Sequence, residues 1–146
     1  MVGSENLEEI LSALDRQIGI HGGSSIALVV CGGTALAALG LVDRTTKDVD
    51  ILAWAEETEE GLKIRQIEKF PQWLIGAAKI VARDFGLPEN WLNLGPASQV
   101  ESGLPDGFEG RLVKIDYGRS LTVYFISRTD QIYFKLYAAV DRSVGP

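Results

Sequence analysis

The stretch that decides the fold runs from residue 26 to residue 54 and reads IALVVCGGTALAALGLVDRTTKDVDILAW. Residues 25–31 form a short apolar run bounded by glycines, which is typical of a strand buried on both faces. Gly32 and Gly33 then turn the chain, and the alanine- and leucine-rich residues 34–39 predict a short helix. The sequence therefore predicts a strand, a glycine turn and a helix in succession.

A second strand is predicted from Asp48 to Trp54, where apolar residues alternate before an acidic stretch begins. Carboxylates two residues apart on a strand point to the same face, so Asp48 and Asp50 lie roughly 7 Å apart along it. Mg²⁺ favours oxygen ligands and usually binds through one or two carboxylates together with substrate phosphates. The pair is therefore a candidate magnesium site, although an Asp-x-Asp also occurs on ordinary surface strands.

The glycine turn has two interpretations. Such a turn before a helix leaves backbone N–H groups free and lets a phosphate approach the main chain closely, which Gly32, Gly33 and Thr34 allow. The alternative is that the glycines only make a tight connection between strand and helix. The turn and the aspartates therefore have to be interpreted together.

Taken together, these features resemble the signature of the polymerase-beta-like nucleotidyltransferase superfamily, in which a strand, a Gly-Gly or Gly-Ser turn and a helix precede an Asp-x-Asp strand. The matching residues are Cys31 to Leu36, then Gly40, Arg44, Thr46, Asp48 and Asp50. The nearest resemblance is to small bacterial nucleotidyltransferase domains, including those of abortive-infection and toxin–antitoxin systems. It is strong over residues 26–54 and weaker over residues 87–93 and 135–142.

The resemblance implies a chemistry for these residues. In that superfamily the paired aspartates and a third carboxylate on a neighbouring strand hold two magnesium ions, while a hydroxyl attacks the α-phosphate of a nucleoside triphosphate and pyrophosphate leaves. The resemblance thus implies that Gly32, Gly33 and Thr34 cradle the triphosphate and that Asp48 and Asp50 bind the metal. Positioning and charge neutralisation are the main needs of phosphoryl transfer.

Asp116 is the expected third carboxylate, because it lies between apolar residues on a later predicted strand. The alternative is a hairpin-turn aspartate beside Gly118 that has no function. If Asp116 does not face the pair, one metal is poorly held and the domain can bind a nucleotide without transferring it.

Three basic residues are candidate phosphate contacts. Arg44 and Lys47 come just before the aspartate strand, and they are equally well explained as exposed loop cations. Lys135 lies on the last predicted helix, where similar family members carry a lysine that reaches the triphosphate. A solvated helix position is the alternative for Lys135.

Helical spacing of apolar residues predicts an amphipathic helix near the N-terminus. Those apolar residues are Leu7, Ile10, Leu11, Leu14 and Ile18. The acidic residues 56–60 predict a solvated loop rather than a metal site. A long helix is expected over residues 64–85, and Pro71 either splits it or lies in its first turn. Residues 86–110 predict a loop, which Trp91-Leu92-Asn93 holds against the core.

The last third of the chain predicts a hairpin and a helix. Residues 111–117 and 121–126 flank Gly118 and are rich in β-branched and aromatic residues. Ser127 and Asp130 follow at capping-box spacing before a helical pattern. The order of elements predicts a mixed α/β (α+β) domain of the nucleotidyltransferase fold, with a small mixed sheet flanked by helices.

Composition limits the class of protein. A chain of 146 residues, 46% of them hydrophobic, is long enough for one core, so residues 1–146 are expected to form a single domain. The net charge of −6 and the lack of clustered cations argue against binding to duplex nucleic acid or to an anionic membrane. The single cysteine excludes an internal disulfide, and we expect a cytoplasmic location.

The C-terminal helix is a candidate association surface. Similar proteins continue beyond Asp141-Arg142, so this chain is expected to be C-terminally short. Its last helix, residues 129–141, is then expected to have fewer internal neighbours and to expose apolar side chains. We therefore expect a homodimer or a protein partner at that helix, through Tyr133, Phe134 and Tyr137. The alternative is that the hairpin and the central helix already cover these residues.

The sequence leads to two alternative hypotheses about function. The first is magnesium-dependent transfer of a nucleotide from a triphosphate to a hydroxyl acceptor. The second is a catalytically weak or inactive nucleotidyltransferase-like antitoxin or protein-binding module. No Gly-Lys-Ser P-loop or Gly-x-Gly-x-x-Gly fingerprint is present, which disfavours those nucleotide-binding folds.

Overall fold

The structure is a computed structural model that describes residues 6–32, 35, 38, 48–94 and 103–132. Five of the nine predicted site residues lie outside these ranges: Gly33, Thr34, Arg44, Lys47 and Lys135. Most of the predicted helix at 34–39 and the association residues Tyr133, Phe134 and Tyr137 also lie outside them.

The helices and strands with defined bounds are, in chain order, α1 (Leu7–Ile20), β1 (Ile26–Cys31), β2 (Val49–Thr58), β3 (Gly61–Arg65), α2 (Gln72–Phe85), β4 (Leu92–Leu94), α3 (Phe108–Arg111), β5 (Val113–Asp116) and β6 (Leu121–Phe125). Helical residues also follow β6 at 128–132. Within the described part of the chain, no helix is long and apolar enough to cross a membrane.

The six strands form one mixed sheet with the order β3-β2-β1-β6-β5. Strand β1 lies at its centre, antiparallel to β2 and parallel to β6, while β5 and β6 form the predicted antiparallel hairpin. One edge of β2 is shared between two strands, because β4 pairs with its first residues and β3 with its last. This is the mixed α/β arrangement that the sequence predicts.

Helices α1 and α2 cover one face of the sheet and form the main core with it. Each helix presents an apolar face at the expected spacing, so the N-terminal helix prediction is confirmed. Trp91 is fully buried in this core, and its indole N–H donates to the carbonyl of Ala78 at 2.8 Å. The predicted packing of Trp91 against the core is therefore confirmed, whereas residues 92–94 and 108–110 of the predicted loop belong to β4 and α3.

A smaller core lies on the opposite face of the sheet. Its centre is Phe108 on the short helix α3, which packs with Val29, Leu52 and Tyr124. The β1–β2 register shifts between Val29 and Val30, so Leu52 is an extra residue on β2. Such bulges are common near functional sites because they redirect the side chains that follow.

The prediction of a solvated loop over residues 56–60 was wrong for residues 56–58, which belong to a strand, although the glutamates of this stretch are exposed as expected. Strand β2 continues through Glu56 to Thr58, and the Thr58 hydroxyl accepts from the Glu60 N–H and donates to the Gly61 carbonyl. Gly61 has a φ of 115°, which residues other than glycine rarely adopt. These local bonds make a tight turn between two strands.

The prediction of one long helix over residues 64–85 was also wrong at its start. Residues 61–65 form strand β3 against β2, and the helix begins only at Gln72. Pro71 precedes it with an extended ψ of 152°. Proline fits the start of a helix but not its interior, so the helix cannot extend upstream through this position.

Candidate functional site

Gly32 follows β1 and contacts the predicted metal strand closely. Its φ is 76°, in the left-handed region, and a Cβ added there would lie 2.8 Å from Asp50 Oδ2. Any other residue would be strained by the backbone angle and would clash with the carboxylate. Glycine is thus required both for the turn and for the approach of the turn to Asp50.

The two aspartates lie at the start of β2. Asp48 is exposed and immediately precedes the strand, Val49 is fully buried, and Asp50 is partly buried. Strand β2 is held here by the Val49 N–H, which donates to the Trp91 carbonyl at 2.5 Å. The structure therefore brings Gly32, Asp48 and Asp50 together at one end of the sheet.

Asn93 on β4 is a site residue that the sequence analysis did not assign. It pairs directly with Asp50 in the parallel β2–β4 register, and its Nδ2 donates to Asp50 Oδ1 at 2.5 Å. The sequence analysis gave Asn93 only a packing role, together with Trp91. The available signal was an amide side chain within the weaker segment of the resemblance.

The charge of Asp50 is disfavoured by its surroundings. Burial raises the pKa of the Asp50 carboxyl above its usual value, and the nearby charge of Asp48 raises the pKa further. The hydrogen bond from Asn93 acts in the opposite direction. The two carboxylates are therefore close enough to repel each other, and a cation between them would relieve that repulsion.

Gln131 is a second residue that the sequence analysis missed. It is buried, and its side-chain amide bonds to the N–H and to the carbonyl of Gly32. The preceding residue, Asp130, is 1% exposed and accepts two hydrogen bonds from the guanidinium of Arg111. The Ser127 hydroxyl accepts from the Asp130 N–H and donates to the Asp130 carboxylate, so Ser127 caps the helical segment as its spacing suggests, although the reciprocal bond of a full capping box is not among these contacts.

Cys31 is not arranged as a nucleophile. The thiol is buried and donates to the Asp50 carbonyl at 3.6 Å. Burial, followed by the charge of Asp50, raises the pKa of the Cys31 thiol to about 12. Because the thiolate is the reactive form, Cys31 serves packing beside the site.

The structure does not bring Asp116 to the aspartate pair. Asp116 pairs with Thr122 on β6, and Thr122 in turn pairs with Ala27 on β1. Asp50 pairs with Cys31, which lies four residues further along β1. Three strand spacings and four residues along β1 separate the two carboxylates, which is roughly 20 Å by sheet geometry. Asp116 instead accepts a 2.6 Å hydrogen bond from the Thr122 hydroxyl.

A family model described as "Nucleotidyltransferase of unknown function (DUF6036)" matches residues 5–144, nearly the whole chain. The chain belongs to this family. No curated protein and no solved structure matches the chain significantly. The family is thus described as one of nucleotidyltransferases, and the mixed α/β fold of this chain is compatible with that description.

Those residues of the site that the structure describes fit one divalent cation better than two. Asp48 and Asp50 offer the carboxylate oxygens that Mg²⁺ prefers. Within the described ranges, no cluster of three or more His, Cys, Asp or Glu residues could hold a metal ion. The neighbour of Asp50 on β4 is an amide rather than the third carboxylate that the resemblance implies.

Proposed function

We propose that this chain is a magnesium-dependent nucleotidyltransferase that moves a nucleotide from a nucleoside triphosphate to a hydroxyl acceptor. The observation that carries the proposal is the close approach of the Gly32 turn to the Asp50 carboxylate. It combines a turn suited to phosphates with an acidic pair suited to a cation. Membership of a nucleotidyltransferase family and the resemblance to the polymerase-beta-like superfamily support it.

The reaction requires one bond exchange at the α-phosphorus. The acceptor oxygen bonds to that phosphorus while the bond to the oxygen bridging the β-phosphate breaks, pyrophosphate leaves, and the hydroxyl proton passes to water. A bound Mg²⁺ neutralises phosphate charge during this exchange. Asp48 and Asp50 would hold it, and Asn93 holds Asp50 in place by its hydrogen bond.

The remaining predicted residues would contact the triphosphate. Gly33 and Thr34 follow Gly32 and would offer backbone N–H groups, while Arg44, Lys47 and Lys135 would offer positive charge. The acidic net charge disfavours duplex nucleic acid as the acceptor, so we propose a protein or small-molecule hydroxyl.

One observation favours a second candidate function. Asn93 occupies the position beside Asp50, and Asp116 lies far from it. A site with two carboxylates can bind a triphosphate with its cation and still transfer slowly. The second candidate is therefore a weakly active or inactive module, such as an antitoxin, that acts by binding a protein partner.

The test is a labelled-triphosphate screen with all four nucleotides against cell lysate, together with calorimetry of triphosphate binding with and without Mg²⁺. Asp50→Asn is expected to abolish transfer, whereas Asp116→Asn is the matched control and is expected to keep it. Absence of magnesium-dependent triphosphate binding would overturn the enzyme proposal. Equal loss in both variants would overturn the assignment of Asp50.

Magnesium-dependent binding without label transfer to any acceptor would favour the second candidate. In that case, a pull-down of the whole chain from its own lysate is expected to recover a defined protein partner. The Asp50→Asn variant would recover the same partner, because a binding module does not need the cation for that contact.

A further inference from the structure

The two neighbours of Asp50 within the sheet are both described, and neither is a carboxylate. Cys31 on β1 pairs with Asp50 on one side, and Asn93 on β4 pairs with it on the other. The thiol of Cys31 is engaged with the backbone of β2. The adjacent strands therefore add no negative charge at the level of the aspartate pair.

Asn93 also forms a hydrogen bond with one oxygen of the Asp50 carboxylate. Its Nδ2 donates to Oδ1 at 2.5 Å, while Oδ2 faces the close backbone of Gly32. This hydrogen bond uses one of the two lone pairs of Oδ1, so a metal ion at that oxygen would have only the other. A second ion would lie beside a neutral amide, and the described residues offer only two carboxylates there to offset the charge of both ions.

Sites that clamp both the attacking and the leaving oxygens hold two ions about 3.5–4 Å apart. Carboxylates that bridge such ions offset the repulsion between them, which grows steeply at short range. An aspartate on β4 would provide that charge, because directly paired side chains on neighbouring strands lie about 5 Å apart. An asparagine has the same shape without the charge.

We propose that Asn93 restricts this site to one divalent cation, held by Asp48 and Asp50 together with the phosphates of the nucleotide. The inference rests on the proposed function, since it concerns the same site. Its consequence is that the triphosphate is neutralised, while the acceptor hydroxyl receives no second ion and depends on water or on the substrate for loss of its proton.

The experiment counts Mn²⁺ ions bound per chain by equilibrium dialysis, with an α,β-methylene nucleoside triphosphate that cannot be transferred. Electron paramagnetic resonance of the retained Mn²⁺ reports whether two ions are close enough to couple. We expect one ion in the wild type and two coupled ions in Asn93→Asp. Asn90→Asp is the matched control, because it adds the same charge in an exposed turn three residues away, and we expect it to bind one ion.

The outcomes separate this inference from the proposed function. Two coupled ions in the wild type would overturn the inference and leave the proposed function standing. No retained ion in the wild type would overturn both. One ion in Asn93→Asp, with an unchanged circular dichroism spectrum, would overturn the role of Asn93. If Asn93→Asp does not fold, the number of Mn²⁺ ions bound by the wild type still tests whether the site holds one ion. Asn93→Ala is also expected to retain a single ion.

Discussion

The side-chain amide of Gln131 makes two hydrogen bonds to Gly32, accepting from its N–H at 3.2 Å and donating to its carbonyl at 3.3 Å. A residue from the C-terminal helical segment thereby fixes the turn that contacts Asp50. While these bonds are formed, the Gly32 N–H is not free for a phosphate. Phosphate contacts are therefore expected from the N–H groups that follow it, those of Gly33 and Thr34.

Gln131→Ala is expected to lower the free energy of unfolding by about 1–3 kcal/mol, because it leaves partly buried backbone groups of Gly32 without partners. Urea denaturation measures this change. Gln72→Ala is the matched control, since Gln72 is exposed at the start of α2 and a change within about 0.5 kcal/mol is expected there. Equal effects of the two substitutions would contradict the role of Gln131.

Asp50→Asn is expected to leave the metal-free protein as stable as the wild type or slightly more stable. The substitution keeps the shape that accepts the hydrogen bond from Asn93 and removes the repulsion with Asp48. Thermal unfolding in EDTA checks this result, with Asp116→Asn as the control distant from the site. An Asp50→Asn protein that fails to fold would show that Asp50 has a structural role.

Asn93→Asp is expected to lower the midpoint of thermal unfolding in EDTA, because a third carboxylate replaces the donor to Asp50. Millimolar Mn²⁺ is expected to raise that midpoint by more than it raises the wild-type midpoint, since ligands that bind only the folded state stabilise it. Asn90→Asp is expected to respond to Mn²⁺ like the wild type. A larger response in the control would assign the effect to general surface charge.

The free energy of unfolding is expected to fall as pH rises from about 9 to 12, with Cys31 as one cause. Folding raises the pKa of the Cys31 thiol from 9.0 to about 12, so the folded state binds more protons than the unfolded state in this range. Cys31→Ala is expected to make the decline shallower in urea titrations at several pH values. Identical slopes in both proteins would contradict the raised pKa.

The elements that the sequence predicted well are those with local patterns. The spacing of apolar residues is enough to place α1, and the short apolar run before Gly32 is enough to place β1. Strand β3 was missed, and its last two residues were assigned to a helix, because Leu62 and Ile64 alternate with charged residues over too few positions to distinguish a strand from a helix. Their pairing with β2 decides the conformation.

The missed site residues depend on contacts between distant parts of the chain. Asn93 is 43 residues from Asp50, and Gln131 is 99 residues from Gly32. Neither amide differs in sequence pattern from an ordinary polar residue. Asp116 was misplaced for the same reason. Only the pairing of β5 with β6 shows how far along the sheet Asp116 lies from Asp50.

The central position of β1 also determines when the protein can fold during its synthesis. Its parallel partner β6 lies far downstream in the sequence, and the Gln131 amide follows Gly32 by 99 residues. Pairings between residues far apart in sequence form slowly, because a long loop must close first. Nascent chains in which residue 131 has not yet emerged from the ribosome therefore have an incomplete glycine turn, and the site matures only after that residue is available.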